Sequence, residues 1–381
     1  MNYKILLPLI LLAVGLLSSC GEGPVENQLD EALEQYANIV FANYEDSYAT
    51  AEFLRNEIND FVANPTEQGL QDCKDAWLSA RVPYGQTEAF RFYNGPIDGA
   101  DGPEGLINAW PMDENFIDYV AGNPDAGLIN DPVSYPDITA NLLENLNESF
   151  AETSIFTGYH AIEFLLWGQD LSSTSAGTRP YTDYVTDGSG TASNQDRRGA
   201  YLKVVAELLL SNLATVRDAW ASNGSYRDEF LNQTDQHVAL GYLFTSMGEL
   251  AKGELAGERM FVAVDSGDQE DEHSCFSDNT HVDILMNFKG IENVYFGRYT
   301  RTNGVKLEGK SLAEVAHDLN EEKANAAEAA FAHAESAINN IMTPFDNAIL
   351  NDKDDVLTAV QALRDLSDRI VDVGLEMDAQ F

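Results

Sequence analysis

The stretch Thr153-Ser154-Ile155-Phe156-Thr157-Gly158-Tyr159-His160-Ala161-Ile162-Glu163-Phe164-Leu165-Leu166-Trp167-Gly168 sets the fold class. Phe156, His160, Glu163 and Trp167 recur at i, i+4, i+7 and i+11, and Ile155, Tyr159, Ile162 and Leu166 form the adjoining stripe. Strand alternation has a period of two and does not produce this pattern, whereas a helix does. Phe164 and Leu165 fill much of the remaining circumference. A helix that is apolar on every side belongs inside a protein and needs other helices around it.

The sequence supplies those helices. Glu26–Phe61 keeps Leu29, Leu33, Tyr36, Val40 and Tyr44 at helical spacing, and Asn64-Pro65-Thr66 stops it. A second helix is expected over Glu67–Phe92, bent at Pro83. The Gly- and Pro-rich stretch Asn94–Pro111 reads as a structured loop. Further helices are expected over 136–147, 197–220, 237–264, 311–342 and 354–377. Only Gly290–Lys306 invites a hairpin reading. Ser172–Ser193 is rich in Ser, Thr and Gly and lacks periodicity. The expected fold class is all-α, with two helical, four-helix-bundle-like domains at 27–171 and 196–381 and a linker at 172–195. Glu88-Ala89-Phe90 is faintly echoed by Glu258-Arg259-Met260-Phe261, which is compatible with duplication.

Composition limits the partners. The chain has 381 residues with 63 acidic and 22 basic side chains, a formal net charge of −41. That excludes an ordinary nucleic-acid binder, which needs a basic footprint. Hydrophobic residues make up 44 %, enough for a large core, so the charge does not imply disorder.

The N-terminus indicates an export route. Lys4 precedes an uncharged run, Ile5–Leu17, too short to span a bilayer comfortably but suited to a signal peptide. Leu17-Ser18-Ser19-Cys20 looks like a bacterial lipobox. Residues 1–19 then read as a lipoprotein signal, Cys20 as the acylated membrane anchor, and 20–26 as a tether, for a protein of the cell envelope. No later segment reads as membrane-spanning. Cys73 and Cys275 remain, as a disulfide or, preferably, two buried thiols.

Three segments carry candidate chemistry. Between Ile155 and Gly168 the only formal charge is Glu163. An unpaired ionised carboxylate there is costly, so Glu163 pairs, binds a cation or is protonated. His160 lies one turn back on the same face. The pair reads as a packing ion pair, as two metal ligands, or as an acid–base couple. The zinc-peptidase patterns fail: H-E-x-x-H is absent, and the inverted H-x-x-E-H would need His at Phe164. In the second segment Trp77, Arg81, Tyr84 and Glu88 repeat the i, i+4, i+7, i+11 spacing, with Arg91 on the same side; they read as solvated ion pairs or, with Trp77, Phe90 and Phe92 favouring partial burial, as a site wall. In the third, Asp265–Asp283 holds seven acidic residues and His273 and His281, without Lys or Arg. Such density favours a bound cation or a solvated loop. Ser277 is a candidate N-cap for the helix through Asp283 and Met286.

Taken together, these segments resemble the imelysin-like family. Gly158-Tyr159-His160-Ala161-Ile162-Glu163 matches its G-x-H-x-x-E motif. Trp77 through Asp98, with Ala89-Phe90-Arg91-Phe92 and Gly95-Pro96-Ile97-Asp98, resembles its first block, and Glu272 through His281 its C-terminal block. The resemblance implies an exported, often lipid-anchored protein of two related helical bundles, with a site around His160 and Glu163. It also implies an association with iron uptake or regulation, in a group classed as peptidases. Glu88 and Glu258 are weaker metal candidates. Ligand-binding candidates are Arg81, Tyr84, Arg91, Asp98, Glu272, His273, Ser274, Asp278 and His281. Carboxylates with one His suit iron or another divalent metal, and the two arginines suit a small anionic or chelate ligand. The expected function is a metal- or iron-linked binding or uptake module. The alternatives are a metallopeptidase and a non-enzymatic surface protein with a structural His–Glu pair.

Overall fold

The computed structural model describes residues 24–381. The signal segment 1–19 and the anchor Cys20 lie outside the described residues. Pro24, Val25 and Glu26, expected in the tether, instead open the first helix, α1 (Pro24–Ala63). Proline suits a first helical turn and an acid there meets the helix dipole. α2 (Glu67–Thr87) starts at Thr66, whose Oγ1 accepts the Gly69 amide at 3.0 Å. It continues through Pro83 into a 3₁₀ turn, Glu88–Phe90.

The Gly/Pro loop encloses one short turn, α3 (Glu104–Ile107). There follow α4 (Ala140–Leu146), α5 (Gly158–Trp167), α6 (Gln195–Ala219) and α7 (Ser225–Asn232). α8 (Gln236–Glu249), a π-helical stretch (Leu250–Phe261) and α9 (Val262–Ser266) run on without a break. After the acidic loop come α10 (Thr280–Tyr295), a two-stranded antiparallel ribbon, and α11 (Leu312–Leu319) to α14. In the ribbon, β1 (Arg298–Thr300) pairs with β2 (Lys306–Glu308), Tyr299 opposite Leu307. The last helices are α12 (Glu321–Asn340), α13 (Phe345–Asn351) and α14 (Lys353–Glu376).

The all-α expectation holds, with local differences. The hairpin is displaced, because 290–295 finish α10 before the strands begin. The single helix expected over 311–342 is broken at Asn320, whose side chain caps α12 by accepting the Lys323 amide. The helix expected from Thr153 begins only at Gly158, which has φ +84°. A Cβ at Gly158 would lie 2.4 Å from the Ile107 carbonyl oxygen, so both the backbone angle and the approach to α3 require glycine. This contact sets α5 beside Asn108 and Trp110.

α1 packs along α2 and α6, α2 against α10, and α5 against α6 and α2. Helices from the two sides of 172–195 therefore interleave. The 172–195 segment itself buries Arg179 and Tyr184, and Arg179 shares the Asp118 carboxylate with Arg198 at 2.7 and 2.6 Å. α6 is long and apolar enough to cross a membrane, correcting the expectation that no later segment is, yet its apolar side faces α1 and α5. Cys73 and Cys275 are free, buried thiols.

Candidate functional site

Burial of α5 is complete: every residue from Gly158 to Trp167 is inside. Glu163 and His160 are both fully buried, with Glu163 Oε2 3.0 Å from His160 Nδ1. The other Glu163 oxygen, Oε1, accepts from the amide and the hydroxyl of Ser277 at 3.0 and 2.7 Å. Ser277 is thus not the N-cap of α10; Asn279 occupies that position. The acidic loop folds over α5 and spends Ser277 on the buried carboxyl.

The same loop delivers a second imidazole. His273 Nε2 lies 3.2 Å from His160 Nε2. His273 Nδ1 is 2.8 Å from Asp283 Oδ2, on the first turn of α10. Asp283 also receives Arg81 Nη2 at 2.8 Å and Nε at 3.2 Å, and the Ser274 hydroxyl at 2.5 Å. Arg81 completes its contacts on Asn108 Oδ1 at 2.6 Å and lies over the Tyr159 ring. A continuous buried line results: Glu163, His160, His273, Asp283, Arg81. Trp110 covers it, its ring 4.9 Å from that of His160 and 6.4 Å from that of His273.

The protonation states follow from burial. Burial pushes the Glu163 carboxyl up to about 8, against the bonds from Ser277. Burial, with His273 next, holds His160 well below its ordinary value. Burial and then Arg259 pull His273 down to about 4. Burial also opposes the charge on Asp283, but Arg81 and His273 outweigh it and keep that carboxylate ionised. At neutral pH the line therefore has one consistent direction. Glu163 donates its proton to His160 Nδ1, His160 Nε2–H donates to His273 Nε2, and His273 Nδ1–H donates to Asp283.

That arrangement has a second consistent form. If Glu163 ionises, it accepts from His160 Nδ1–H, and both Nε2 atoms present lone pairs to one point. Two nitrogens bound at about 2.0–2.1 Å to one metal lie roughly 3 to 3.5 Å apart, so the 3.2 Å separation fits a shared cation. Carboxylates behind metal-binding imidazoles fix the tautomer in this way.

The other candidates fall into distinct places. Glu88 is buried under Arg91 and Arg259, at 2.7 and 2.6 Å. Burial opposes its charge, but Arg91 and Arg259 hold it at about 2, so its carboxylate is committed. Glu258 lies on the π-helical stretch and lines a cleft of about 350 Å³ with Trp110, Glu152, Glu254, Arg259, Asp271 and His273. The four acids against one arginine make this cleft attractive to cations. Arg91 reaches Glu88 and Glu104 at its edge. Tyr84 is buried against Tyr159, away from the cleft. Asp98 accepts the Phe92 and Gly95 amides and shapes its own loop. Glu272 and Asp278 make no hydrogen bond to His160 or His273 and lie within electrostatic reach of Asp170 and Asp346. His281 lines a small separate cavity with Ile284 and Ile338. Sequence reasoning overlooked Asp283, Asn108 and Trp110. A signal existed for Asp283, since an arginine at Arg81 on a buried helix needs an acidic partner.

Fold and site together define an all-α-class protein, helical but for one short β-ribbon, with a buried histidine pair of which His273 lines an acidic cleft. The family model for imelysin, which also carries a peptidase label, matches residues 40–370, and the chain belongs to the imelysin family. It is 25 % identical over 395 residues to iron-regulated protein A of Synechococcus elongatus, covering 97 % of this chain and 94 % of that one. A crystal structure assigned as an iron-regulated protein A precursor of Parabacteroides distasonis superposes with TM-score 0.72 at 20 % identity, over 94 % of this chain and 97 % of that one. An imelysin-like protein of Psychrobacter arcticus gives TM-score 0.62 at 15 % identity, over 91 % and 93 %.

Proposed function

We propose that the protein is a metal-binding module with an iron-related role, taking a divalent first-row metal between His160 and His273. The observation that carries this is the pair of Nε2 atoms 3.2 Å apart, each imidazole backed through Nδ1 by a carboxylate. Imidazole donors next to carboxylates suit ferrous iron and its neighbours in the first row. The acidic cleft that His273 lines attracts cations and offers a route in. Iron is favoured within that class by the likeness to an iron-regulated protein A. Lys4, the apolar run and Cys20 support export and lipid anchoring in the cell envelope.

Glu163 orients His160 and takes up or releases a proton; it is a positioning residue. A peptidase base must reach a substrate, whereas both Glu163 oxygens are bound inside the core. The test is a calorimetric titration of ferrous iron, under anaerobic conditions, into chelator-treated protein. One site that weakens at least about 100-fold in His273→Ala supports the reading. Absence of binding leaves the histidine line as a packing device and overturns it.

A further inference from the structure

A second group of acids joins the end of the acidic loop to two other segments of the chain. Asp170 follows α5 by three residues, Asp278 ends the loop in a left-handed conformation with φ 57°, and Asp346 opens α13. One carboxylate oxygen from each lies within 4.8 Å of the others. Asp170 and Asp346 are each only 3 % exposed. Glu272, 1 % exposed, lies within electrostatic reach of all three.

Their oxygens lack partners. Asp170 Oδ1 accepts the Ser172 amide and Asp346 Oδ1 the Asn347 amide. Asp170 Oδ2, Asp278 Oδ1, Asp346 Oδ2 and Glu272 Oε1 are buried with no hydrogen-bond partner. No Lys or Arg forms an ion pair with any of the four among the described residues. Unpartnered buried carboxylate oxygens each cost about 1–3 kcal/mol or more, so the convergence of three carboxylates, with Glu272 adding its field, favours a positive charge between them.

We infer that Asp170, Asp278 and Asp346, with Glu272 behind them, form an oxygen-only site for a calcium-class divalent cation. Hard cations of this kind take six to eight oxygens at about 2.3–2.6 Å, which keeps oxygens of one shell within roughly 5 Å of each other. An adjoining cavity of about 310 Å³, lined by Asp170, Gln269 and Asp346, leaves room for water ligands and for entry. The donor set holds no nitrogen, which separates it from the histidine pair. The ion ties the end of α5 and the start of α13 to the loop that carries His273 and Ser277. It therefore steadies the histidine pair from behind, a consequence that rests on the metal reading of that pair; the site itself does not.

Calcium titrated into chelator-treated full-length protein, followed by calorimetry and thermal melting, tests the inference. The expected result is one calcium per chain, a raised melting temperature, and at least a tenfold loss of affinity in both Asp170→Asn and Asp346→Asn. The double variant His160→Ala/His273→Ala keeps calcium binding, which separates failure of this site from failure of the other. No binding up to about 10 mM calcium, above the range of even weak extracellular sites, overturns the inference. So does unchanged affinity in both aspartate variants, which leaves a proton shared between Asp170 and Asp278 as the neutralising charge. Should those variants fail to fold, hydrogen exchange of the wild-type chain decides. Calcium must slow exchange at 170–172, 272–279 and 345–348, and no change there refutes the site.

Discussion

Replacing Glu163 by glutamine separates a neutral buried acid from a buried ion pair. Glutamine reproduces the neutral acid: its NH₂ donates to His160 Nδ1 and its carbonyl accepts from the Ser277 amide and hydroxyl, as Glu163 does. Glu163→Gln is expected to lie within about 1 kcal/mol of wild type at pH 6. Glu163→Ala leaves the Ser277 amide and hydroxyl and His160 Nδ1 unpartnered around a cavity, and is expected to cost about 3 kcal/mol or more. The pH dependence sharpens the contrast. Burial raises the Glu163 carboxyl from 4.5 to about 8, so the folded chain holds a proton that the unfolded chain has lost. The sign is therefore negative: this contribution is complete below about 4.5 and fades as pH rises through about 8, at about 1.4 kcal/mol per pH unit between. Glutamine does not ionise. Between pH 6 and 8 the stability of wild type relative to Glu163→Gln should fall by about 2–3 kcal/mol. The assay is urea unfolding of metal-free protein at both pH values, and the difference between the two chains cancels other titrating groups, Glu272 among them. Parallel curves, or a glutamine variant as unstable as the alanine one at pH 6, refute a protonated Glu163.

His273→Ala should remove metal binding while Glu163→Gln weakens it about 10- to 100-fold, because His160 Nδ1–H then has no carboxylate behind it; calorimetry measures both. Arg81→Met leaves Asp283 ionised and buried, and should destabilise by about 3–5 kcal/mol in chemical unfolding. Gly158→Ala combines φ +84° with a 2.4 Å approach to the Ile107 carbonyl, and should lower stability by more than about 2 kcal/mol. On the acid side, burial holds His160 and His273 neutral in the fold. Their contribution, complete above about 6.5, should disappear as pH falls through about 4, a loss that His160→Ala/His273→Ala lacks in an acid unfolding scan.

Much of this was legible in single residues. Glu163 announced itself as the lone charge on an apolar helix, and the helical spacing around it gave the fold class. His273 was visible as a histidine inside an acidic run. Its role was not, because the 3.2 Å approach to His160 joins residues 113 positions apart. Asp283 looked like one more acid of that run until Arg81 and His273 were seen to converge on it. The onset of α5 was misplaced because periodicity does not report a positive φ, and Gly158 owes its conformation to the α3 carbonyl behind it. Asp170 and Asp346 carried no signal, since each is a single acid in its own segment. Only the fold sets their oxygens opposite Asp278.

Acceptance of one metal by the two Nε2 atoms as Glu163 gives up its proton can be tested by proton counting. Ferrous iron is titrated anaerobically into the metal-free chain at pH 7 in two buffers of different ionisation enthalpy, which yields stoichiometry and protons released together. One metal and about one proton per chain are expected, as the neutral line of Glu163, His160 and His273 loses its shared hydrogen. Binding without proton release, or binding that survives His273→Ala, contradicts that coupling.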